Sequence, residues 1–324
     1  MSLTTHADAV AAREVLARLP KHHGPVRTPL LPVGDGTRPL LLKPESLQPT
    51  GAFKLRGALH ATAVLDERTR SRGLVTYSSG NHARAVAHAG RVFDVPTTVV
   101  VPHSAPGSKV AAARSLGAEI VLVDVAERER RAREIAAENG AALIPPFDAS
   151  AVIAGQATVG LEIAEDLRAR GVSEATVLVP VSGGGLISGV GAALSGADVR
   201  TRLIGVEPEL AADTRQSLRA GRRVDWPVRA RTRTIADGLT AQPSELTFAH
   251  LAAFVEDVVT VTEEEIAEAV GYLARGPGLV AEPSGAVTTA AWLHRTRELP
   301  DTTTVAVVSG GNVDPALLVS SLGG

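Results

Sequence analysis

Lys54 stands in the stretch 43–58, KPESLQPTGAFKLRGA, just inside a predicted helix that comes after the turn Pro49-Thr50-Gly51. A lysine at such a helix start can be desolvated, and burial favours its neutral amine. The neutral amine attacks an aldehyde to form a Schiff base, which an exposed ammonium does poorly at pH 7. Taken alone, the stretch equally fits a solvated lysine on an amphipathic helix, so its meaning depends on the other reactive stretches of the chain.

Four more stretches could carry chemistry. Ser78-Ser79-Gly80-Asn81-His82-Ala83 falls where a predicted strand meets a helix. One small polar residue suffices to cap a helix, and here several stand together. Their hydroxyls and the helix dipole would also suit a bound carboxylate. Ser182-Gly183-Gly184-Gly185-Leu186 comes after an apolar strand and precedes a helix. Consecutive glycines let backbone N–H groups converge on an anion such as a phosphate. The loop lacks the GK[ST] ending of a nucleotide P-loop and the spacing of the dinucleotide fingerprint, and a tight strand–helix turn would look the same. Ser309-Gly310-Gly311-Asn312-Val313-Asp314 comes directly after another strand. Glu207-Pro208-Glu209-Leu210-Ala211-Ala212-Asp213 reads either as an acidic helix start or as a source of hard oxygen ligands for Mg²⁺ or Ca²⁺.

The elements that position these stretches alternate. Apolar runs at 40–43, 73–77, 97–101, 119–123, 176–180, 202–206 and 303–308 are predicted strands. Ala- and Arg-rich helices are predicted at 83–91, 107–116, 128–138 and 153–170. Such alternation implies an α/β chain, parallel sheets covered by helices on both faces in a three-layer αβα arrangement. Residues 73–149 form a compact run of strand–helix units, expected to be a small domain inserted into a larger one made of 1–68 and 150–324. The stretch 143–150, LIPPFDAS, is expected to carry the return crossing, and 216–242 to be an irregular surface excursion. Helix caps are expected at Thr5 and, as a capping box with Glu265, at Thr262.

The chain of 324 residues, 44% hydrophobic, can bury a large core, which its 3% aromatic content makes aliphatic. A net charge of −2 argues against nucleic acid or an anionic membrane as partner. Without cysteine there is no disulfide or thiol chemistry. No apolar run reaches membrane-spanning length, and the N-terminus reads as an amphipathic helix instead of a signal peptide, so the expected location is cytoplasmic.

From about Thr28 to Asp314 these stretches resemble the serine/threonine dehydratase and serine racemase family of pyridoxal-phosphate enzymes. Supporting matches are Ala154-Gly155-Gln156, the stretch 234–239 and Glu282-Pro283-Ser284-Gly285. The resemblance implies fold type II (tryptophan synthase β-like), with the cofactor in a cleft between two domains. Lys54 would carry pyridoxal 5′-phosphate and act as base. Phe53, Asn81, the loop Ser182, Gly183, Gly184, Gly185 and Leu186, Glu282 and Ser309 would complete the cofactor site. In that scheme Asn81 contacts the phenolic oxygen, a hydroxyl at Ser182 donates to phosphate, and Ser309 meets the pyridine nitrogen. A neutral hydroxyl there leaves the ring largely unprotonated.

The substrate would lie on Ser78, Ser79, Gly80, Asn81 and His82. Serine at position 79 is the racemase choice where many dehydratases carry alanine. Its hydroxyl would serve the face of the substrate opposite Lys54, or else merely cap the helix. Glu207, Ala211 and Asp213 match the divalent-cation ligands of the racemases. The chain departs from the pattern at Ala52, in place of serine, and at Arg84, in place of glutamine or glycine. Arg84 is expected to affect access or the charge preferred at the substrate's β-substituent.

The activity implied is conversion of L-serine or L-threonine to a 2-oxo acid and ammonia, with serine racemisation as a companion reaction. Elimination from another β-substituted amino acid such as 3-hydroxyaspartate is the alternative on the same scaffold, and a non-catalytic binding protein is the alternative of another class. A homodimer is expected from the family and from the prevalence of two-fold oligomers.

Overall fold

The computed structural model describes residues 2–34 and 38–323. Among the described residues ten strands form two sheets: β1 Leu31–Val33, β2 Leu40–Pro44, β3 Leu74–Tyr77, β4 Thr97–Pro102, β5 Glu119–Val123, β6 Ala142–Leu143, β7 Glu174–Pro180, β8 Arg200–Pro208, β9 Asp257–Val261 and β10 Thr303–Val308. The first sheet has six strands in the order β1-β2-β10-β7-β8-β9, and the second has four in the order β5-β4-β3-β6. All pairings in the second sheet are parallel.

The first sheet is mixed, which corrects the expectation of parallel strands throughout. β1 pairs antiparallel with β2, Pro32 opposite Leu41. That edge strand is only three residues long and contains a proline, so neither its length nor its composition announced it. β6 likewise has only two residues, at the start of the stretch expected to be a plain crossing.

The central strands are buried on both faces and so read as continuous apolar runs. Alternate residues of one strand enter different cores. Ala175, Val177 and Val179 of β7 pack with Ile187 and Val190 of the Gly185–Leu194 helix. Leu178 faces the opposite side with Ala286, Val287 and Ala290 of the Pro283–His294 helix. In the second sheet Val99 and Val101 pack on Ala83 and Ala87 of the Asn81–Phe93 helix, while Val75 and Val100 meet Ala132 and Ile135 on the other face. The layering is helix, sheet, helix in both. The expected caps are present: Thr5 in a capping box with Asp8, and Thr262 with Glu265.

Chain geometry then gathers the chemistry-bearing stretches. β3 runs into 78–83, β7 into 182–186 and β10 into 309–312, each at the carboxyl end of a parallel strand, where open α/β sheets leave a crevice. Lys54 reaches the same end of the first sheet because the chain before it pairs with the end of β10. Phe53 N–H donates to the Ser309 carbonyl at 3.1 Å, and Ala52 bridges Gly310.

Candidate active site

Lys54 is the first residue of the Lys54–Ala63 helix and is half-buried. Its Nζ donates to the Pro146 carbonyl at 2.6 Å and lies 5.1 Å from the centre of the Phe53 ring. Desolvation lowers its pKa from 10.5 to about 8, so a useful fraction of the amine is neutral near physiological pH.

A buried charge cluster anchors that helix. Arg56 Nε donates to Glu45 Oε2 at 2.8 Å and Arg56 Nη1 to Glu162 Oε1 at 2.7 Å, while Lys43 Nζ meets Glu162 Oε2 at 2.5 Å. Burial works against the Arg56 cation, but Glu45 and Glu162 outweigh it and raise its pKa. Gly57 fixes the other side: a Cβ there would overlap Gln156, whose Oε1 accepts from Gly57 N–H at 3.2 Å. The cluster was not legible from spacing, because Glu162 joins Lys43 and Arg56 across more than a hundred residues.

Lys54 lies in a cleft of about 420 Å³ that also takes in Ser79, Asn81, Gly184, Glu282 and Ser309. Several helix N-termini border it without a side-chain cap, among them those of Lys54–Ala63, Asn81–Phe93 and Gly185–Leu194. Uncapped N-termini leave N–H donors and a positive dipole end for an anion. Gly184 takes φ +86°, and a Cβ at Gly183 would collide with the Phe147 ring, so the glycine loop serves packing as well as anion approach.

Several expected roles are changed by the geometry. Gly80, not a serine, is the N-cap of the Asn81–Phe93 helix, so Ser79 does not cap it. Ser78 Oγ accepts from Gly80 N–H at 3.3 Å, whereas the Ser79 hydroxyl has no partner among the described residues and borders the cleft. The Ser182 hydroxyl, expected on a phosphate, is held by Ala241: it accepts from Ala241 N–H at 2.9 Å and donates to Ala241 O at 3.0 Å.

His82 Nε2 meets the Ile144 carbonyl at 2.9 Å; burial, then the Lys54 charge, lowers its pKa to about 3, so the imidazole is neutral and its Nε2–H donates. Arg84 is absent from the cleft lining and donates instead to Asn312 Oδ1 at 2.5 Å, so it does not gate access. Glu282 is the N-cap residue of Pro283–His294 but its carboxylate makes no capping bond; it accepts from Asn81 Nδ2 at 2.5 Å. Burial brings its pKa up to about 7, against the pull of Asn81. Ser309 Oγ donates to Ser284 O at 3.4 Å, a long bond that is cheap to exchange.

Residues 216–242 do not stay on the surface. Arg231 and the stretch 237–242 return to line the cleft, as do Lys109 and Arg128 from the other side. Lys109 and Asp237 form an ion pair across the opening. Arg128 and Arg231 form no ion pair among the described residues. Burial lowers the Arg231 pKa, with Asp213 opposing that shift and Arg128 adding to it.

The cation stretch does not line the cleft. Glu207 and Asp213 are each 1% exposed. Glu207 Oε1 and Oε2 accept from Thr214 N–H at 3.0 Å and Arg215 N–H at 2.9 Å, while Asp213 Oδ2 has no partner among the described residues. Burial, then the Asp213 charge, raises Glu207 to about 8, and burial raises Asp213 to about 6. Among the described residues no three carboxylates or histidines gather at one point.

A desolvated lysine and a glycine loop in one cleft, at the carboxyl ends of parallel strands, suit an enzyme that works through an aldehyde cofactor bearing a phosphate. The profile of the family described as "Pyridoxal-phosphate dependent enzyme" matches residues 22–310. The L-threonine ammonia-lyase of Thermotoga maritima is 42% identical over 85% of this chain and 67% of its own length. The L-threo-3-hydroxyaspartate ammonia-lyase of Saccharomyces cerevisiae is 39% identical, over 85% of this chain and 83% of its own. Maize serine racemase superposes with a TM-score of 0.89 at 34% identity, covering 99% of this chain and 97% of that one. The chain belongs to the pyridoxal-phosphate-dependent enzymes of fold type II. No helix among the described residues is long and apolar enough to cross a membrane.

Proposed function

We propose that this chain is an ammonia-lyase acting on small L-3-hydroxyamino acids, with Lys54 as the cofactor-bearing base. The observation that carries the reading is the Lys54 amine, lowered to a pKa of about 8, in one cleft with the uncapped N-termini of Lys54–Ala63, Asn81–Phe93 and Gly185–Leu194. Pyridoxal 5′-phosphate, when bound, supplies an aldehyde and an electron-withdrawing ring. The site fits it. The Gly183–Gly185 backbone and the Gly185–Leu194 N-terminus would hold the phosphate, Ser309, whose present bond is long, would meet the ring nitrogen, and Phe53 and Asn81 would flank the ring.

The Asn81–Phe93 N-terminus with Ser78 and the Ser79 backbone takes the substrate carboxylate, while His82 Nε2 is committed to Ile144 and its Nδ1 has no partner among the described residues. Lys54 removes the α-proton. Ser79, which the resemblance puts at the opposite face, offers a cleft-lining hydroxyl that has no partner among the described residues. That supports a companion racemase activity. The two sheets are read as two domains, 1–68 with 150–324 and 73–149, that close on substrate. Glu207, Ala211 and Asp213 would hold Mg²⁺ or Ca²⁺ as a brace, and the working unit is read as a cytoplasmic homodimer, on the family resemblance.

A second substrate reading, 3-hydroxyaspartate, is favoured by Arg128 and Arg231, two cleft guanidiniums with no ion-pair partner among the described residues. A proton-NMR time course in heavy water with L-serine, L-threonine and L-threo-3-hydroxyaspartate decides among these. A 2-oxo acid from either of the first two supports the main reading. Turnover of the dicarboxylate alone, lost on Arg231→Gln, would replace it with the second. No turnover of any of the three would sink both.

A further inference from the structure

Behind the cleft a chain of side-chain amides joins the Asn81–Phe93 helix to the stretch after β10. Arg84 Nη1 donates to Asn312 Oδ1 at 2.5 Å. Asn312 Nδ2 donates to the Thr50 carbonyl at 2.9 Å and to Asn81 Oδ1 at 2.7 Å. Asn81 Nδ2 then donates to Glu282 Oε1 at 2.5 Å. The packing leaves the chain little slack: a Cβ at Gly51 would overlap the Asn312 amide, and one at Gly310 would lie 3.0 Å from Asn81 Nδ2.

A carboxamide presents an acceptor and a donor of nearly equal shape, so two amides in series can run in either direction. The direction is set by an end that has only one role. Glu282 is not such an end, because a buried carboxyl near pH 7 accepts when ionised and donates when protonated. The Arg84 guanidinium can only donate, and the Thr50 carbonyl can only accept. Together they leave Asn312 one orientation, with Oδ1 toward Arg84. Asn312 in turn leaves Asn81 one, with Oδ1 turned back and Nδ2 turned to the cleft side.

We propose that Arg84 and Asn312 are positioning residues that fix the polarity of the Asn81 amide, so that its N–H edge faces the cofactor. The inference rests on the proposed cofactor site only for what Asn81 faces. The polarity itself belongs to the free protein. It also gives the Arg84 departure a purpose, an obligate donor where glutamine or glycine is usual.

Asparagine occurs at three positions only, Asn81, Asn139 and Asn312, so protein grown on isotope-labelled asparagine shows three side-chain amide pairs. Asn312→Asp keeps the shape but can only accept, which calls Asn81 Nδ2 back toward it. In the cofactor-free variant the Asn81 pair is expected to shift while Asn139 stays. Cofactor affinity, read by titrating visible absorbance, is expected to fall about tenfold, the worth of one well-placed hydrogen bond. Arg84→Lys keeps an obligate donor and should stay near wild type. Arg84→Glu should reproduce Asn312→Asp, and this pair of variants carries the test if Asn312→Asp does not fold.

An unmoved Asn81 pair in Asn312→Asp and Arg84→Glu, or undiminished cofactor affinity in both, overturns the proposal. Wild-type protein that takes up no cofactor would instead overturn the functional reading, while the amide shifts would still decide the polarity.

Discussion

Lys54 Nζ donates to the Pro146 carbonyl at 2.6 Å, joining the residue that opens the Lys54–Ala63 helix to the stretch just beyond β6. The bond spans 92 residues and holds the amine against the cleft wall. Its acceptor is neutral, so nothing there offsets the desolvation that lowers the amine to about 8.

That shift gives a rate prediction. The neutral amine is the nucleophile, so the rate at which cofactor-free protein takes up pyridoxal 5′-phosphate should rise with pH and level off above about 8. Lys54→Ala should bind no cofactor covalently and lose activity by at least about a hundredfold. A rate still climbing steeply toward pH 10, measured by stopped-flow absorbance, would show an unperturbed lysine.

Glu282 sets a stability prediction. Its carboxyl titrates near 4.5 when unfolded and at about 7 in the fold, so between those values the native state binds more protons. Its contribution is fully present below about pH 4.5 and is lost as pH rises through 7, on the order of 3 kcal/mol in all. Denaturant unfolding of the cofactor-free protein should therefore show wild type losing ground to Glu282→Gln as pH rises from 5 to 8. Parallel curves for the two would mean that Glu282 is ionised in the fold at pH 5.

Ser79 separates two reactions. Removing its hydroxyl by Ser79→Ala should depress conversion of L- to D-serine by about a hundredfold while leaving elimination within a few-fold. Chiral chromatography alongside 2-oxo acid assay measures both. Equal loss of the two would assign Ser79 to carboxylate binding.

The pair Glu207 and Asp213 should respond to a dication. Mg²⁺ or Ca²⁺ should raise the unfolding temperature by roughly 2–6 °C, a gain abolished by chelator and missing in Asp213→Asn. Because a cation displaces protons from carboxyls near pKa 8 and 6, the gain should be larger at pH 8 than at pH 6. Thermal scans that do not change with either cation would leave Glu207 as a cap for the helix next to it.

The strand–helix alternation, the aliphatic core and the reactive stretches were legible in sequence because each is local: a run of apolar residues, a turn before a lysine, glycines after a strand. The edge strand β1 was not, since three residues pairing antiparallel with Leu40–Leu42 leave no period to read. Nor was the direction of individual side chains. Ser182 turned to Ala241, His82 to Ile144 and Arg84 to Asn312, each bond made to a partner at least 59 residues away. The sequence by itself determined which chemistry the chain holds, through the types of residue at the ends of its strands. Only the tertiary structure decided which groups are left free in the cleft, because a polar side chain near other buried polar groups takes the partner that packing brings within reach.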